Sequence, residues 1–408
     1  MSVLERLVPS AAPASSRRML GIEGMRALAA LAVLAHHTWI FDGGERIGED
    51  GAAGIVFLNL ALGVTLFFAL SGFLLYRPFA AAIARGEPLP SVGRYLRNRG
   101  LRILPAYWVI LILTAFVLQT AATRADGGFT YGAMTDPAEF LKAMLLIQDY
   151  DPDSMVVGIS AAWSLSVEVV FYVALPLLAL GAARFARDAS ARSRRVLILL
   201  APALLLLALG ASGKFAAGVL VPGSPSSGYE ADWHSVIERS FWAQADLFSF
   251  GMVAAVLHTE WVDRRLNLPR WWREAALLVA LAIFIPCALT LERGQLSYLP
   301  QNTAVALAAA LLIAVAAFPG RERSDPWLQR GLEVRPVVAL GLISYSVFLW
   351  NVPAIQWLTE RDLMGAGWSG LARNLLLAFV VVAALSVATY RYVELPALRR
   401  KRRPTPMD

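Results

Sequence analysis

Runs of about twenty mostly apolar residues recur along this chain, and they constrain its fold more than any other feature. A helix needs about 20 such residues to cross a hydrocarbon core of about 30 Å. Ten runs qualify, roughly at residues 22–41, 55–76, 103–122, 161–183, 196–213, 241–258, 275–291, 302–318, 337–358 and 372–391. The fifth ends ambiguously near Gly213 and Lys214, and Pro286 and Pro300 shorten or interrupt the seventh and eighth. Lipid cannot satisfy open backbone groups, so spanning segments are helices or closed barrels. The alternating ten-residue strands of a barrel are absent. The expected fold is all-α, a polytopic transmembrane helix bundle of about ten spans.

Composition agrees. Apolar residues make up 57% of the chain and charged residues 16%, against about 25% charged in a soluble domain. That excludes a soluble globular enzyme and a disordered protein. The single cysteine, Cys287, excludes a disulfide scaffold and a cysteine-rich zinc site. The net charge of +7 needs no nucleic acid to explain it. Of 37 basic residues, 27 fall in the tails and connections of one side and seven in those of the other. The basic side faces the cytoplasm, which places both termini there and requires an even number of spans.

The opposite connections read differently. Residues 123–160 are acidic and contain the apolar stretch Phe140–Ile147. It is too short to cross and is expected on the surface or over the mouth of the bundle. No cleavable leader and no internal repeat is visible. The expected organisation is a disordered tail over 1–20, a membrane domain over 21–398 and a basic tail over 399–408, in a multi-pass protein of the cell membrane.

Ionisable groups inside spans are costly and are functional candidates by default. In the first span Arg26 and His37 lie 11 residues apart. That is about 20° from three full turns, so both face one way, about 16 Å apart along the axis. His36 is rotated by about 80° and is expected to face elsewhere. A structural histidine and a snorkelling arginine are the competing readings. In the fourth span Ser164, Glu168 and Tyr172 recur every four residues and share a face. Glu168 falls at a depth similar to His37, where a carboxylate can orient an imidazole; a helix-packing salt bridge is the alternative. The ninth span brings Ser344, Tyr345, Ser346, Trp350 and Asn351, and the sixth holds the acid Asp246 with no assigned partner. Before the third span stand Arg94, Arg97, Arg99 and Arg102. Arginine suits bidentate phosphate binding, although topology alone also explains such a cluster. Ser71 is a weak nucleophile candidate. The four histidines make no obvious metal site, and no P-loop, dinucleotide fingerprint or HExxH is present.

Several of these residues stand in ordered motifs. The first span carries an arginine, ten residues, then a histidine. GVTLFFALSGFLLYRPF is similar to GVDxFFxLSGFL, and RNRGLRILPAYW to RxxRxxPxYW. AAWSLSVEVVFY is similar to WSLxxExxFY, LFSFGM to FxxGM, ISYSVFLWNVP to SYxxYLWHxP, and YRYVELP to the closing VExP. From residue 21 to about 398 the chain resembles the acyltransferase 3 family of integral membrane O-acyltransferases, which includes O-antigen acetylases and macrolide O-acyltransferases. It departs at Thr65, where aspartate is common, and at Asn351, where histidine is usual.

The resemblance implies transfer of an acyl group, most often acetyl, from acyl-CoA to a hydroxyl, usually on a sugar. The acceptor would be a glycan, a glycolipid or a macrolide. It implies a stand-alone membrane domain without the esterase-like domain of many relatives. His37 would be the general base, with Glu168 holding its ring, and Arg26, Arg99 and Arg102 would hold the CoA phosphates. The motifs add Tyr107, Trp163, Ser164, Tyr172, Tyr345 and Asn351 to the substrate-binding set. No metal is expected. A transporter or exporter is the competing function, with Arg26, His37, Glu168 and Asp246 as its path.

Overall fold

The computed structural model describes residues 19–41, 48, 51–125, 128–189, 191–221, 231–292, 298–318 and 327–400. The N-terminal tail through residue 18 and the basic tail from residue 401 lie outside the described residues, as do Arg46, Arg293, Arg321 and Arg323.

The chain is a helix bundle. In order it runs α1 Leu20–Ile40, α2 Ala52–Asn59, α3 Gly63–Arg85, α4 Val92–Ile112, a hairpin of β1 Ala121–Ala125 and β2 Gly128–Gly132, and α5 Pro137–Met144. There follow α6 Trp163–Ala186, α7 Arg192–Phe215, α8 Trp233–Arg239, α9 Phe241–Gln244, α10 Asp246–Val262, α11 Trp272–Glu292 and α12 Tyr298–Ala317. The last elements are α13 Trp327–Leu332, α14 Arg335–Thr359, α15 Gly367–Thr389 and α16 Leu395–Arg399. The hairpin is the sole sheet among the described residues, with Ala121 opposite Gly132.

Eight helices are long and apolar enough to cross a membrane, or nine if α8 and the bent run Phe241–Val262 form one span. This makes the chain a multi-pass membrane protein. The count of ten is not reached, because α1 is not among these helices. Its apolar character is diluted by Glu23, Arg26, His36 and His37. Neither proline interrupts its span as expected. Pro286 lies inside α11, and Pro300 lies in the first turn of α12. A first-turn proline loses no intrahelical bond, and an interior one is tolerated in membrane helices where neighbours re-satisfy the freed carbonyl.

The bundle has a centre and a rim. In α14, 89% of the most apolar stretch is buried, against 17% in α11. The helices α1 and α3 complete the centre: α1 packs on α14, and α3 packs on α10. Both contacts are backbone-close. A Cβ on Gly341 of α14 would collide with the Glu23 carbonyl of α1. A Cβ on Gly72 of α3 would meet the Phe248 carbonyl, and one on Gly251 of α10 the Ala69 carbonyl. With no hydrophobic drive between helices in lipid, such close approach supplies much of the association. Gly251→Ala is expected to force α3 and α10 apart and to cost about 1–3 kcal/mol, read as a lowered thermal midpoint in detergent; an unchanged midpoint would contradict the tight crossing.

The basic connections gather at one end of the bundle. There Arg85 binds Asp263 at 2.9 Å, Arg192 binds Glu260 at 2.6 Å, and Arg273 donates to the Phe318 carbonyl at 3.0 Å. At the other end the first part of the stretch expected over the mouth, Phe140 to Met144, lies in α5. Tyr107 donates its hydroxyl to the Ala143 carbonyl at 2.7 Å, and Trp108 donates its indole N–H to that of Met144 at 3.0 Å. These two bonds seat α5 on the end of α4. Beside it a buried turn holds Asp149, which accepts from Ser166 at 2.8 Å and from the Val156 N–H at 3.2 Å. Burial pushes its carboxyl up to about 6, and the hydrogen bonds from Ser166 and Val156 oppose this.

Candidate active site

Two chambers lie in series along α1. The one nearer the arginine end has a volume of about 120 Å³. Into it project Arg26 of α1, Ser71 of α3, Arg99 and Arg102 of α4, Glu168 and Tyr172 of α6, and Ser344 and Tyr345 of α14. Ser164 also borders it. The second chamber, of about 40 Å³, takes His36 and His37 of α1, Thr65 of α3, Trp163 of α6, Arg239 of α8, Gln244 of α9 and Asn302 of α12.

The arginine chamber is tied down on three sides. Arg26 donates to Ser344 at 3.3 Å and lies 3.9 Å from Glu23. Arg102 pairs with Glu394 at 3.0 Å, and Glu394 accepts from Ser346 at 2.5 Å. The Tyr345 ring sits under Arg102, 5.8 Å from its guanidinium, while its hydroxyl donates to the Ile103 carbonyl at 2.9 Å. Glu168 accepts a hydrogen bond from Ser71 and lines the chamber beside Tyr172. Arg99 Nε is buried with no hydrogen-bond partner. Arginine forks that remain partly uncommitted in a pocket suit a phosphate or another multidentate anion.

The histidine chamber is less fully bonded. His36 donates Nδ1–H to the Phe57 carbonyl at 2.8 Å, and its ring lies 5.3 Å from that of His37. Asn351 reaches the His37 imidazole, but it spends its amide on the Phe348 carbonyl at 2.6 Å. His37 Nδ1, Asn351 Oδ1 and Asn302 Oδ1 keep no hydrogen bond of full geometry. Buried polar atoms are nearly always satisfied, so their clustering marks a place built to meet a polar group. Trp163 walls this chamber, with the Arg239 guanidinium over its ring at 4.5 Å.

The structure rearranges several sequence-based expectations. Glu168 does not hold the His37 ring. Equal depth on two helices left the rotation of each unspecified, and Glu168 faces Ser71 and Tyr172 in the other chamber. His36 does not face elsewhere but lines the same chamber as His37. Tyr107 borders neither chamber, because its hydroxyl is spent on α5. Ser164 spends its hydroxyl on the Ala161 carbonyl at 3.2 Å. Ser71, Glu394 and Arg239 were not selected as site residues. The first two stand inside the quoted motifs, whereas Arg239 sits on a short helix that no periodicity brings to the site. Asp246 finds its partners in Lys214 and Thr303, outside both chambers. Among the described residues, no group of three His, Cys, Asp or Glu is placed to hold a metal ion.

Residues 19–391 match the acyltransferase domain family, and the chain belongs to that family. It is similar to OatA of Listeria monocytogenes, named a peptidoglycan O-acetyltransferase, at 24% identity over 94% of this chain and 56% of that protein. It matches YrhL of Bacillus subtilis at 24% identity over 93% of this chain and 55% of that one. It is also similar to the acyltransferase MdmB of Streptomyces mycarofaciens, at 30% identity over 39% of each chain. The chain thus spans about half the length of OatA and YrhL. No solved structure matches.

Proposed function

We propose that this protein is a membrane O-acyltransferase. It takes an acyl group, most simply acetyl, from cytoplasmic acyl-CoA and passes it to a hydroxyl on a carbohydrate, glycolipid or glycosylated metabolite. The carrying observation is the pair of chambers in series, one rich in arginine and one holding an uncommitted imidazole. Both termini and the basic connections then face the cytoplasm, in keeping with the positive-inside rule. The host membrane is the cell membrane.

The chemistry follows from the residues. Arg26, Arg99 and Arg102 hold the anionic end of the donor in the arginine chamber. The acceptor hydroxyl meets His37 in the other chamber. His37 removes its proton as the oxygen attacks the thioester carbonyl. The new C–O bond forms, the C–S bond breaks, and the leaving thiolate takes the proton back from the imidazolium. Such base catalysis works best near neutral pH and contributes about 10²–10⁴-fold. Glu168, anchored by Ser71, shapes the donor chamber and leaves the proton transfer to His37.

The test uses the purified full chain in vesicles with labelled acetyl-CoA and three acceptor classes: a cell-wall glycan, a glycolipid and a macrolide. Label on an acceptor is the expected outcome. Uptake of label into the vesicles without acylation would replace this reading with transport.

A further inference from the structure

The two chambers adjoin and share lining residues. Val64 and Phe68 of α3 and Phe348 of α14 border both. An acyl group passing from the arginine side to His37 moves past these three side chains, so they meet the acyl chain itself.

We propose that Val64, Phe68 and Phe348 form a gate that restricts the transferred acyl group to the shortest chains, acetyl above all. The inference rests on the acyl-transfer reading above and adds its specificity. Phe68 is the fixed side of the gate. It is 2% exposed, with its ring 4.8 Å from Phe248 and 6.1 Å from Trp163. Phe348 is the opposite side, 7% exposed and edge-on to Phe67 at 5.8 Å. Close packing of this kind does not yield freely to added volume. Beyond the gate the histidine chamber is walled by Trp163 and again by Phe68 and Phe348. An acetyl group has three heavy atoms, and every further methylene must be placed against Phe68, Phe348 or Trp163. Phe348 also fixes the site's polar side, because its carbonyl accepts from Asn351 beside His37.

The experiment measures transfer from acetyl-, propionyl- and butyryl-CoA to one working acceptor. It compares the full chain with Phe348→Ala, Phe348→Leu and Val64→Ala. A pocket distinguishes one methylene by about 10–200-fold, so the unaltered chain is expected to prefer acetyl over butyryl by at least about tenfold. Opening the wall is expected to raise the butyryl-to-acetyl ratio by about tenfold or more. Phe348→Leu and Val64→Ala keep the test alive if Phe348→Ala does not fold. Rates that fall together, with the ratio unchanged in folded variants, overturn the gate alone. Equal use of acetyl and butyryl by the unaltered chain does the same. No transfer from any donor by the unaltered chain overturns the enzyme reading and the gate with it.

Discussion

Replacing His37 with alanine is expected to abolish acyl transfer, lowering the rate by about 10²–10⁴-fold or more, while the protein still folds and inserts. The site geometry sets both halves of this expectation. His37 is half-buried, makes no hydrogen bond of full geometry through Nδ1 and faces a chamber. Its loss therefore removes a base while Asn351 beside it keeps its hydrogen bond to the Phe348 carbonyl. His36 differs, since its ring anchors the Phe57 carbonyl. His37→Gln keeps the volume and loses the base, so it is expected to be as inactive as His37→Ala. Donor binding is expected to persist in both variants, because Arg26, Arg99 and Arg102 belong to the other chamber. Rate, donor affinity and thermal midpoint together separate a chemical role from a structural one. Normal transfer by either variant would remove His37 from the mechanism.

Much of this layout was legible in the sequence, and the illegible part has a physical cause. A helix period reports which residues of one helix share a face. It placed Arg26 and His37 on one side of α1, and both project into the bundle interior. It also aligned Glu168 with Tyr172, and these two do meet in one chamber. Hydropathy similarly found α11 and α12 despite their prolines. What a single helix cannot report is how its neighbour is rotated and raised against it. Hence Glu168 was matched with His37 by depth, when the interior between them divides at Val64, Phe68 and Phe348.

Local irregularity hid the rest. Arg239 reaches the histidine chamber from a seven-residue helix on a bent segment. Tyr107 sits correctly inside its motif, yet the fold of α5 beyond it claims the hydroxyl. The α1 span shows the converse case. Two of the polar groups that weaken it as a membrane segment, Arg26 and His37, are the ones given the proposed chemistry.

Asp246→Ala is expected to destabilise the protein by about 3–5 kcal/mol without touching the reaction centre. Asp246 is 1% exposed and Lys214 9% exposed, and the two form an ion pair between α10 and α7. Lys214 also donates to Thr303 of α12 at 2.7 Å, and Thr303 donates to Asp246. Gly210 of α7 leaves no room for a Cβ beside the carboxylate, so the helices are drawn close around it. Removing the acid strands a largely buried ammonium, and that stranded charge is the source of the cost. Removing both charges is different. Asp246→Leu with Lys214→Met trades the pair for apolar packing, which is often neutral or better. The double variant is therefore expected to recover most of the loss, giving a coupling energy well above that of independent sites. It is also expected to retain acyl transfer, because neither residue lines a chamber. A folded double variant that has lost activity would place Asp246 on a functional path, as a transporter requires. Additive losses in the thermal midpoint would show that the pair does not act as a unit.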